Sequence, residues 1–460
     1  MLKRWSQPNG YREVLDIGLP LVVSMGSVTM MIFTDRVFLS QYSLDTIAAA
    51  VPAGFASFLF ISFFMGVANY TNVFVAQYYG ANKLEQVGSS VWQGIYFSFL
   101  AWLLLAGLSL AAPAMFRAVG HAAEVQRLEV AYFQILLWGS GLLVGNSALS
   151  SFYSGRGVTR TVMAVNVSMA LFNIPLDYVL INGLEVGGRT WVPSMGITGA
   201  GLATVGGWSF ATVLWCRLVF SSTHDKHFAT WRNRRLEVRL FLRLLKYGVP
   251  GGVQFFLQML AVTFFTLVVG RLDKNDLAAT NIVLAIHSLA LLPTVGLSVA
   301  VSTLVGQALG RGRPEDGVEA TRSALHVTLA YVTVVLGVMV FFPGPLLAIF
   351  KSADQAAAAF SAVTSIATVL MRYVAVYGLF GAISVVYVGA IRGAGDTHFA
   401  MWAMFGVSIG VMIVPAWVAL NWLHVDLYGL WGVAIAYGAA QCAVFWGRFR
   451  SGKWKHMRVI

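Results

Sequence analysis

The 460-residue sequence is poor in charged residues and in cysteine. Asp, Glu, Lys and Arg make up only 11% of the chain, whereas hydrophobic residues make up 58%. A soluble protein of this length would need a far more polar surface, so the composition excludes a soluble enzyme or a soluble binding domain. The two cysteines, Cys216 and Cys442, both lie in apolar runs. We therefore expect small packing residues there, and neither a disulfide nor a metal site.

The sequence also lacks the signatures of catalysis and of nucleic-acid binding. It contains no metal-ligand spacing, P-loop or nucleophile elbow, and no pair of His, Ser or Cys residues is spaced for catalysis. An integral-membrane enzyme is therefore the least favoured of the functions considered, and no cofactor is expected. The net charge of +12 could suggest nucleic acid, but the basic residues cluster at the termini and in one central segment. That distribution is typical of a membrane protein with cationic cytoplasmic loops, so no nucleic-acid partner is expected.

Long apolar runs recur along the whole chain, such as Ile95–Ala112, Thr328–Phe342 and Met401–Ala419. About 20 apolar residues suffice for a membrane-spanning helix, whereas strands of a membrane barrel are about ten residues long and alternate in polarity. The first run, Ile17–Phe38, is too long for a cleaved signal peptide and is expected to be a permanent span. The pattern predicts an all-α polytopic membrane protein with twelve spans, at roughly 15–41, 46–79, 90–112, 130–153, 159–182, 196–220, 242–270, 277–309, 322–349, 364–391, 398–421 and 427–447.

The positive charges predict the orientation and the division of the chain. Lys and Arg concentrate at both termini and in residues 221–246, which places these parts in the cytoplasm, and the expected location of the spans is the inner membrane. We expect an N-lobe at 1–220 with spans 1 to 6, a basic inter-lobe loop at 221–246, and a C-lobe at 247–460 with spans 7 to 12 and a basic tail. The loop could contact anionic lipid, but a linker that merely fixes the topology is the favoured interpretation.

The two halves carry the same motifs in the same register. "VAQYYGANKLE" (Val75–Glu85) matches "VGQALGRGRPE" (Val305–Glu315) at an offset of 315 − 85 = 230, and "IGLP" (Ile17–Pro20) resembles "YGVP" (Tyr247–Pro250) at 250 − 20 = 230. Six spans is an even number, so the second copy enters the membrane the same way up. The lobes are therefore predicted to be parallel repeats, a plan that suits alternating access with substrate bound between them.

Two acidic residues lie well inside predicted spans, Asp35 in span 1 and Asp177 in span 5. A carboxylate in hydrocarbon costs several kcal/mol unless it faces protein or water, so both are functional candidates. Asn166 and Asn173 share a helix face with Asp177, because the spacings are seven and four residues. Thr204, in span 6, is expected at a similar depth.

These residues predict a cation site in the first lobe. Pro175 lacks an N–H and leaves nearby carbonyls poorly satisfied. With the side chains of Asp35, Asn173, Asp177 and Thr204, such carbonyls would make an oxygen cage for Na⁺ or for a proton shared between two carboxylates. The alternative is a structural polar cluster that ties spans 1, 5 and 6 together, although burying two acids for that purpose alone is costly.

The chain resembles the MATE family, the multidrug and toxic compound extrusion transporters, over almost its whole length. The resemblance depends on the repeat and on motifs that include "TDRVFLSQYS", "VAQYYGA", "VGQALGRG", "GRGVTRT", "IRGAGDT" and "GITGAGLAT". It implies a V-shaped pair of six-helix lobes that exports organic cations against a Na⁺ or H⁺ gradient. It also maps the family's first-lobe cation site onto Asp35, Asn173, Asp177 and Thr204, and places Pro20 where span 1 bends in some members.

The second lobe departs from the family pattern. Members with an acidic site there carry a glutamate at the position of Gln258 and an aspartate at that of Gly381, although Tyr377 fits the pattern. Coupling is therefore expected to run through the first lobe alone. The weaker candidates, for the substrate cavity, are Met31, Asn166, Gln258, His287 and Tyr377, of which His287 is equally compatible with helix packing.

The favoured function is an antiporter that exports amphipathic, mostly cationic compounds, with no enzymatic activity. A flippase of lipid-linked oligosaccharides with a related fold is the alternative. Its cavity should hold several cations to meet a diphosphate, and the predicted spans contain almost no interior Lys or Arg. The expected partners are small organic cations and membrane lipids, and the protein is expected to be a monomer.

Overall fold

The computed structural model of the chain describes residues 4–5, 7–350 and 357–460. Within these residues twelve helices are long and apolar enough to cross a membrane, which confirms the predicted all-α fold and the number of spans. We number them α1 to α12 in chain order: Tyr11–Tyr42, Leu44–Gly80, Leu84–Ser109, Ala123–Ser154, Thr159–Asn182, Ile197–Val219, Val238–Val269, Lys274–Gly310, Pro314–Phe341, Ser361–Ala394, Thr397–Asn421 and Leu427–Arg450. Following the predicted orientation, the side of the membrane on which α1 ends is called the outer side.

Several helices begin earlier than the apolar pattern predicts. α4 begins at Ala123, α7 at Val238 and α9 at Pro314, because their first turns each carry a charged residue and lie beyond the apolar core of each span. Pro314 is well placed at the start of a helix, where its missing N–H is not needed. Helices thus continue past the point at which hydropathy falls. The end of the predicted inter-lobe loop, from Val238 onward, is therefore helical.

Three local features interrupt the regular helices. α2 turns at Asn69 and Tyr70, between segments Leu44–Ala68 and Thr71–Gly80. α11 contains a π-helical turn at Ser408–Ile413. After α5 the chain forms an antiparallel hairpin of β1 (Leu184–Val186) and β2 (Arg189–Val192). The intervening glycines, Gly187 and Gly188, both have positive φ, which suits a tight turn.

The described chain divides into two compact units. The N-terminal unit comprises Pro20–Gly252 with Val459–Ile460, and the C-terminal unit comprises Met1–Leu19 with Val253–Arg458. The division falls inside α1, at Pro20, and inside α7, close to the repeat-related Pro250. These units are defined by how compactly the chain packs, whereas the lobes were inferred from the sequence repeat. The lobe boundaries therefore stay a prediction.

Glycines allow α5 and α6 to pack backbone to backbone in the N-terminal unit. A methyl group on Gly199 would lie only 2.3 Å from the carbonyl oxygen of Leu180, so no larger residue fits without moving a helix. Further along the same pair, a methyl group on Gly207 would lie 3.3 Å from Cβ of Asn173. The two contacts show that α5 and α6 run antiparallel in a fixed register.

The segment between α6 and α7 docks on the inner end of α3. A short helix, Ser222–Phe228, is followed by residues 229–237, which we call the docked segment. The indole N–H of Trp92 donates to the carbonyl of Thr230 at 2.6 Å, and the hydroxyl of Tyr96 donates to the carbonyl of Arg234. At the start of this segment the amides of Trp231 and Arg232 donate to Asp225 and hold the pKa of that carboxyl below its usual value.

Candidate functional site

α1 and α5 lie side by side in the N-terminal unit and are joined by a polar contact. Both are odd-numbered spans and therefore run in the same direction. Asn166 of α5 donates from its amide to the hydroxyl of Ser24 on α1, at 2.6 Å. Asp35 follows Ser24 by 35 − 24 = 11 residues, and Asp177 follows Asn166 by 177 − 166 = 11 residues. The two carboxylates therefore lie at the same depth, about 16 Å beyond the first contact.

The predicted acidic and amide side chains are deeply buried. Asp177 and Asn173 have no exposed surface, and Asp35 is 6% exposed. In the part of the chain that the structure describes, neither oxygen of Asp177 has a hydrogen-bond partner. The same holds for both polar atoms of the Asn173 amide and for Oδ1 of Asp35. Nearly all buried polar groups in proteins are satisfied, so this concentration of unsatisfied oxygens needs an explanation.

α1 and α5 remain adjacent at the level of the two carboxylates, because the rings of Phe38 and Tyr178 lie 5.6 Å apart. Two like charges in a medium of low dielectric repel each other, and each also loses its hydration on burial. The arrangement is stable only if one carboxylate is protonated or if a cation lies among their oxygens. Both carboxylates are therefore candidates for binding a proton or a cation, and the cation site stays a prediction.

Thr204 of α6 lies level with these residues. It stands between the two glycine contacts, which pair Gly199 with Leu180 and Gly207 with Asn173. In an antiparallel pair, Thr204 is therefore at the height of Asp177. Its side chain is half-buried, and the role predicted for its hydroxyl stays a prediction.

The structure adds Tyr132 of α4 to the site, a residue that the sequence did not single out. Its hydroxyl donates to Oδ2 of Asp35 at 3.4 Å. Its ring lies against α6, because a methyl group on Gly201 would be 3.4 Å from Cδ2 of the tyrosine. One tyrosine in an apolar span is usually a packing residue, so only the tertiary contact identifies this one.

Pro175 lies on a different face of α5 from the buried polar residues. Its side chain and that of Leu171 are exposed, on the face of α5 opposite to Asn173 and Asp177. The carbonyl that the proline leaves without a helical donor belongs to Leu171, four residues earlier. That backbone oxygens near Pro175 are ligands stays a prediction. Both Pro175 and Pro20 lie inside continuous helices, and bending at either one stays a prediction.

The candidates for the substrate cavity divide between the two units. Met31 and Asn166 belong to the N-terminal unit, and Met31 is buried. Met31 lies at the level of Asn173, because their offset, 173 − 31 = 142, equals the offset between Asp177 and Asp35. Gln258, His287 and Tyr377 belong to the C-terminal unit.

In the C-terminal unit, His287 of α8 faces Tyr377 of α10 with 5.2 Å between the ring centroids. Among the described residues, Nε2 of His287 is buried without a hydrogen-bond partner. Gln258 is half-buried on α7. This unit thus has polar groups but no acidic residue at these positions, and their role in binding stays a prediction.

The comparisons with known proteins agree on one family. The profile of the MatE family matches residues 20–179 and 250–418. A relative from Thermotoga maritima, named "Probable multidrug resistance protein NorM", is 26% identical over 98% of this chain and 95% of its own length.

Solved structures show the same fold. The outward-facing conformation of a multidrug resistance MATE family transporter of the MOP superfamily matches with a TM-score of 0.85 and 19% identity, over 97% of both chains. A MOP superfamily transporter from Pyrococcus furiosus matches with a TM-score of 0.84 and 19% identity over 97% of both chains, and its description states that the reverse polarity of its binding pocket suggests a different function.

Proposed function

The chain belongs to the MatE family, and we propose that it is a secondary active exporter of organic compounds, driven by H⁺ or Na⁺ bound in the N-terminal lobe. The relatives named as multidrug resistance proteins support export of several compounds. The apolar composition and the scarcity of interior cations favour amphipathic, mostly cationic substrates. The protein acts as a monomeric, multi-pass transporter of the inner membrane with both termini in the cytoplasm, surrounded by membrane lipids, and it needs no cofactor.

One observation carries the coupling proposal: Asp35, Asn173 and Asp177 together bury five polar atoms that lack hydrogen-bond partners within the described chain. A proton or Na⁺ satisfies these oxygens and removes the repulsion between the carboxylates. Carboxylate, amide and hydroxyl oxygens are hard ligands, which suit Na⁺ as well as H⁺. Thr204 supplies the hydroxyl on the third helix.

Coupling follows if the two access states hold the cation with different affinity. A cation bound between α1 and α5 stabilises whichever conformation brings Asp35 and Asp177 together, and its release favours the other. Substrate binding is then linked to the gradient without any covalent chemistry. Met31 and Asn166 in the N-terminal unit, and Gln258, His287 and Tyr377 in the C-terminal unit, are proposed to contact the substrate.

The proposal is tested in cells by efflux of a cationic dye such as ethidium. Asp177→Asn should abolish export while the protein reaches the membrane in normal amount, because the amide cannot exchange a proton and weakens Na⁺ binding. Asp45→Asn, which alters an exposed acid at the outer start of α2, is the matched control and should behave as the wild type. Full efflux by Asp177→Asn would contradict the proposal.

A further inference from the structure

A second buried acid lies between the outer surface and the proposed cation site. Glu129, in the second turn of α4, has no exposed surface. Its Oε1 is 2.8 Å from Nδ1 of His121, in the connection that precedes α4. Its Oε2 is buried and has no hydrogen-bond partner among the described residues. Burying a carboxylate with an unsatisfied oxygen costs free energy, so Glu129 is a candidate for a functional role.

The pair connects solvent with the interior. The side chain of His121 is 41% exposed, whereas that of Glu129 is 0% exposed. One turn further along α4, Tyr132 donates to Asp35. Residues three apart on a helix have Cβ atoms about 5–6 Å apart, and helical side chains lean towards the N-terminal end, here towards Glu129. His121 at the surface is thus followed by Glu129 and then Tyr132 along α4, and Tyr132 contacts Asp35.

From this alignment we propose that His121 and Glu129 form an outer proton-exchange station for the cation site, with Tyr132 as the link to Asp35. The inference rests on the proposed function and deepens it, because it names H⁺ as the coupling ion. An imidazole can accept a proton on one ring nitrogen while it donates a proton from the other, whereas its ring N–H cannot bind Na⁺.

The proton transfer balances without any further reactant. A proton from the medium binds Nε2 of His121 while the Nδ1–H bond breaks and its proton goes to Oε1 of Glu129. Protonated Glu129 then gives a proton to the oxygen of Tyr132 as the tyrosine hydroxyl gives its own to Oδ2 of Asp35. Histidine and tyrosine end neutral, and the net change is one proton gained by Asp35.

Other titratable groups are present near the outer ends of the elements that pack on α4. Glu124 and Arg127 are exposed and pair with each other at 3.0 Å. Arg117 and Asp45 are also exposed. Arg36 lies over the ring of Phe55, 5.6 Å from its centroid. α3 and α6 contribute no titratable side chain in their outer halves. Glu129 is the buried member of this set outside the cation site, so it is the one suited to relay a proton inward.

The test measures export of ethidium from energised cells at several pH values of the medium. Glu129→Gln should slow export about tenfold or more and abolish its dependence on outside pH, since positioned proton transfer contributes at least this much. Glu124→Gln changes an exposed glutamate on the same helix and should leave the rate and pH profile unchanged. Glu129→Asp keeps the carboxyl and should recover part of the rate.

His121→Ala separates a relay from a structural contact, because it changes a half-exposed side chain. Its slow export should be restored by imidazole in the medium, but not by an equal concentration of a non-aromatic buffer. A wild-type pH profile in Glu129→Gln, or a slow His121→Ala variant that imidazole does not restore, would overturn the relay.

Asp35→Asn distinguishes failure of the relay from failure of the proposed function. If it exports ethidium normally, the cation site itself is wrong. If it is inactive while Glu129→Gln matches the wild type in rate and pH profile, only the relay is refuted.

Discussion

Replacing Gly199 by alanine should separate α5 from α6 beside the proposed cation site. The added methyl group would lie 2.3 Å from the carbonyl oxygen of Leu180. A carbon and a carbonyl oxygen approach each other to about 3.3 Å at closest, so the helices must move apart by about 1 Å. The contact is with backbone, which cannot rotate away. Forced overpacking of this kind costs about 1–3 kcal/mol of stability.

The same displacement should impair transport. Thr204 is level with Asp177 only because α5 and α6 are held in this register. A misplacement of about 1 Å at a functional site can lower its rate by about two orders of magnitude. We therefore expect Gly199→Ala to export ethidium at least about tenfold more slowly than the wild type and to unfold in detergent at a lower temperature.

Gly206→Ala is the matched control on the same helix. Its methyl group would meet only the end of the Leu176 side chain, at 2.8 Å, and that side chain can rotate. Both variants replace glycine by alanine within a helix, so the gain in helix propensity is the same for both and does not affect their comparison. Equal efflux rates and equal unfolding temperatures for Gly199→Ala and Gly206→Ala would refute the claim that close helix packing positions the site.

Two further predictions concern stability away from the site. Asp396→Asn removes the charged partner of Arg448, whose side chain is largely buried and lies 2.6 Å from the Asp396 carboxylate. Denaturant titrations should show a loss of about 3–5 kcal/mol in the free energy of unfolding. Loss of the exposed carboxylate of Glu124 should cost less than about 1 kcal/mol. Trp92→Phe removes the hydrogen bond to Thr230 and should accelerate trypsin cleavage in the docked segment about fivefold, as one hydrogen bond contributes about 1 kcal/mol to closing it; an unchanged cleavage rate would show that this bond does not hold the segment.

Hydropathy and charge were sufficient to predict the spans and to select Asp35 and Asp177 as candidates for the site. Asp35 and Asp177 could be found because a carboxylate in an apolar run stands out in one dimension. Their common depth also follows from counting residues along two parallel helices. The helical spacing also places Pro175, which is two residues from both Asn173 and Asp177, on the opposite face of α5, and its side chain is exposed there.

The sequence alone did not predict contacts between residues that are far apart in the chain. The hydroxyl of Tyr132 contacts Asp35, which is 97 residues away in the chain. Nothing in the apolar run around Tyr132 indicates this contact. Glu129 falls one residue before the span predicted at 130–153, whereas α4 begins further out, at Ala123, and Glu129 has no exposed surface. The position of the docked segment depends on hydrogen bonds to its backbone carbonyls, and a pattern of side chains does not predict such bonds.

Transport by purified protein in liposomes, with a pH gradient and a Na⁺ gradient imposed separately, tests the central claim most directly. We predict that one gradient drives ethidium export by the wild type and that Asp35→Asn exports with neither, while it still binds the dye. With the proton relay in place, the effective gradient should be that of H⁺. Gradient-driven export by Asp35→Asn at the wild-type rate would contradict the claim that the cation is bound in the N-terminal lobe.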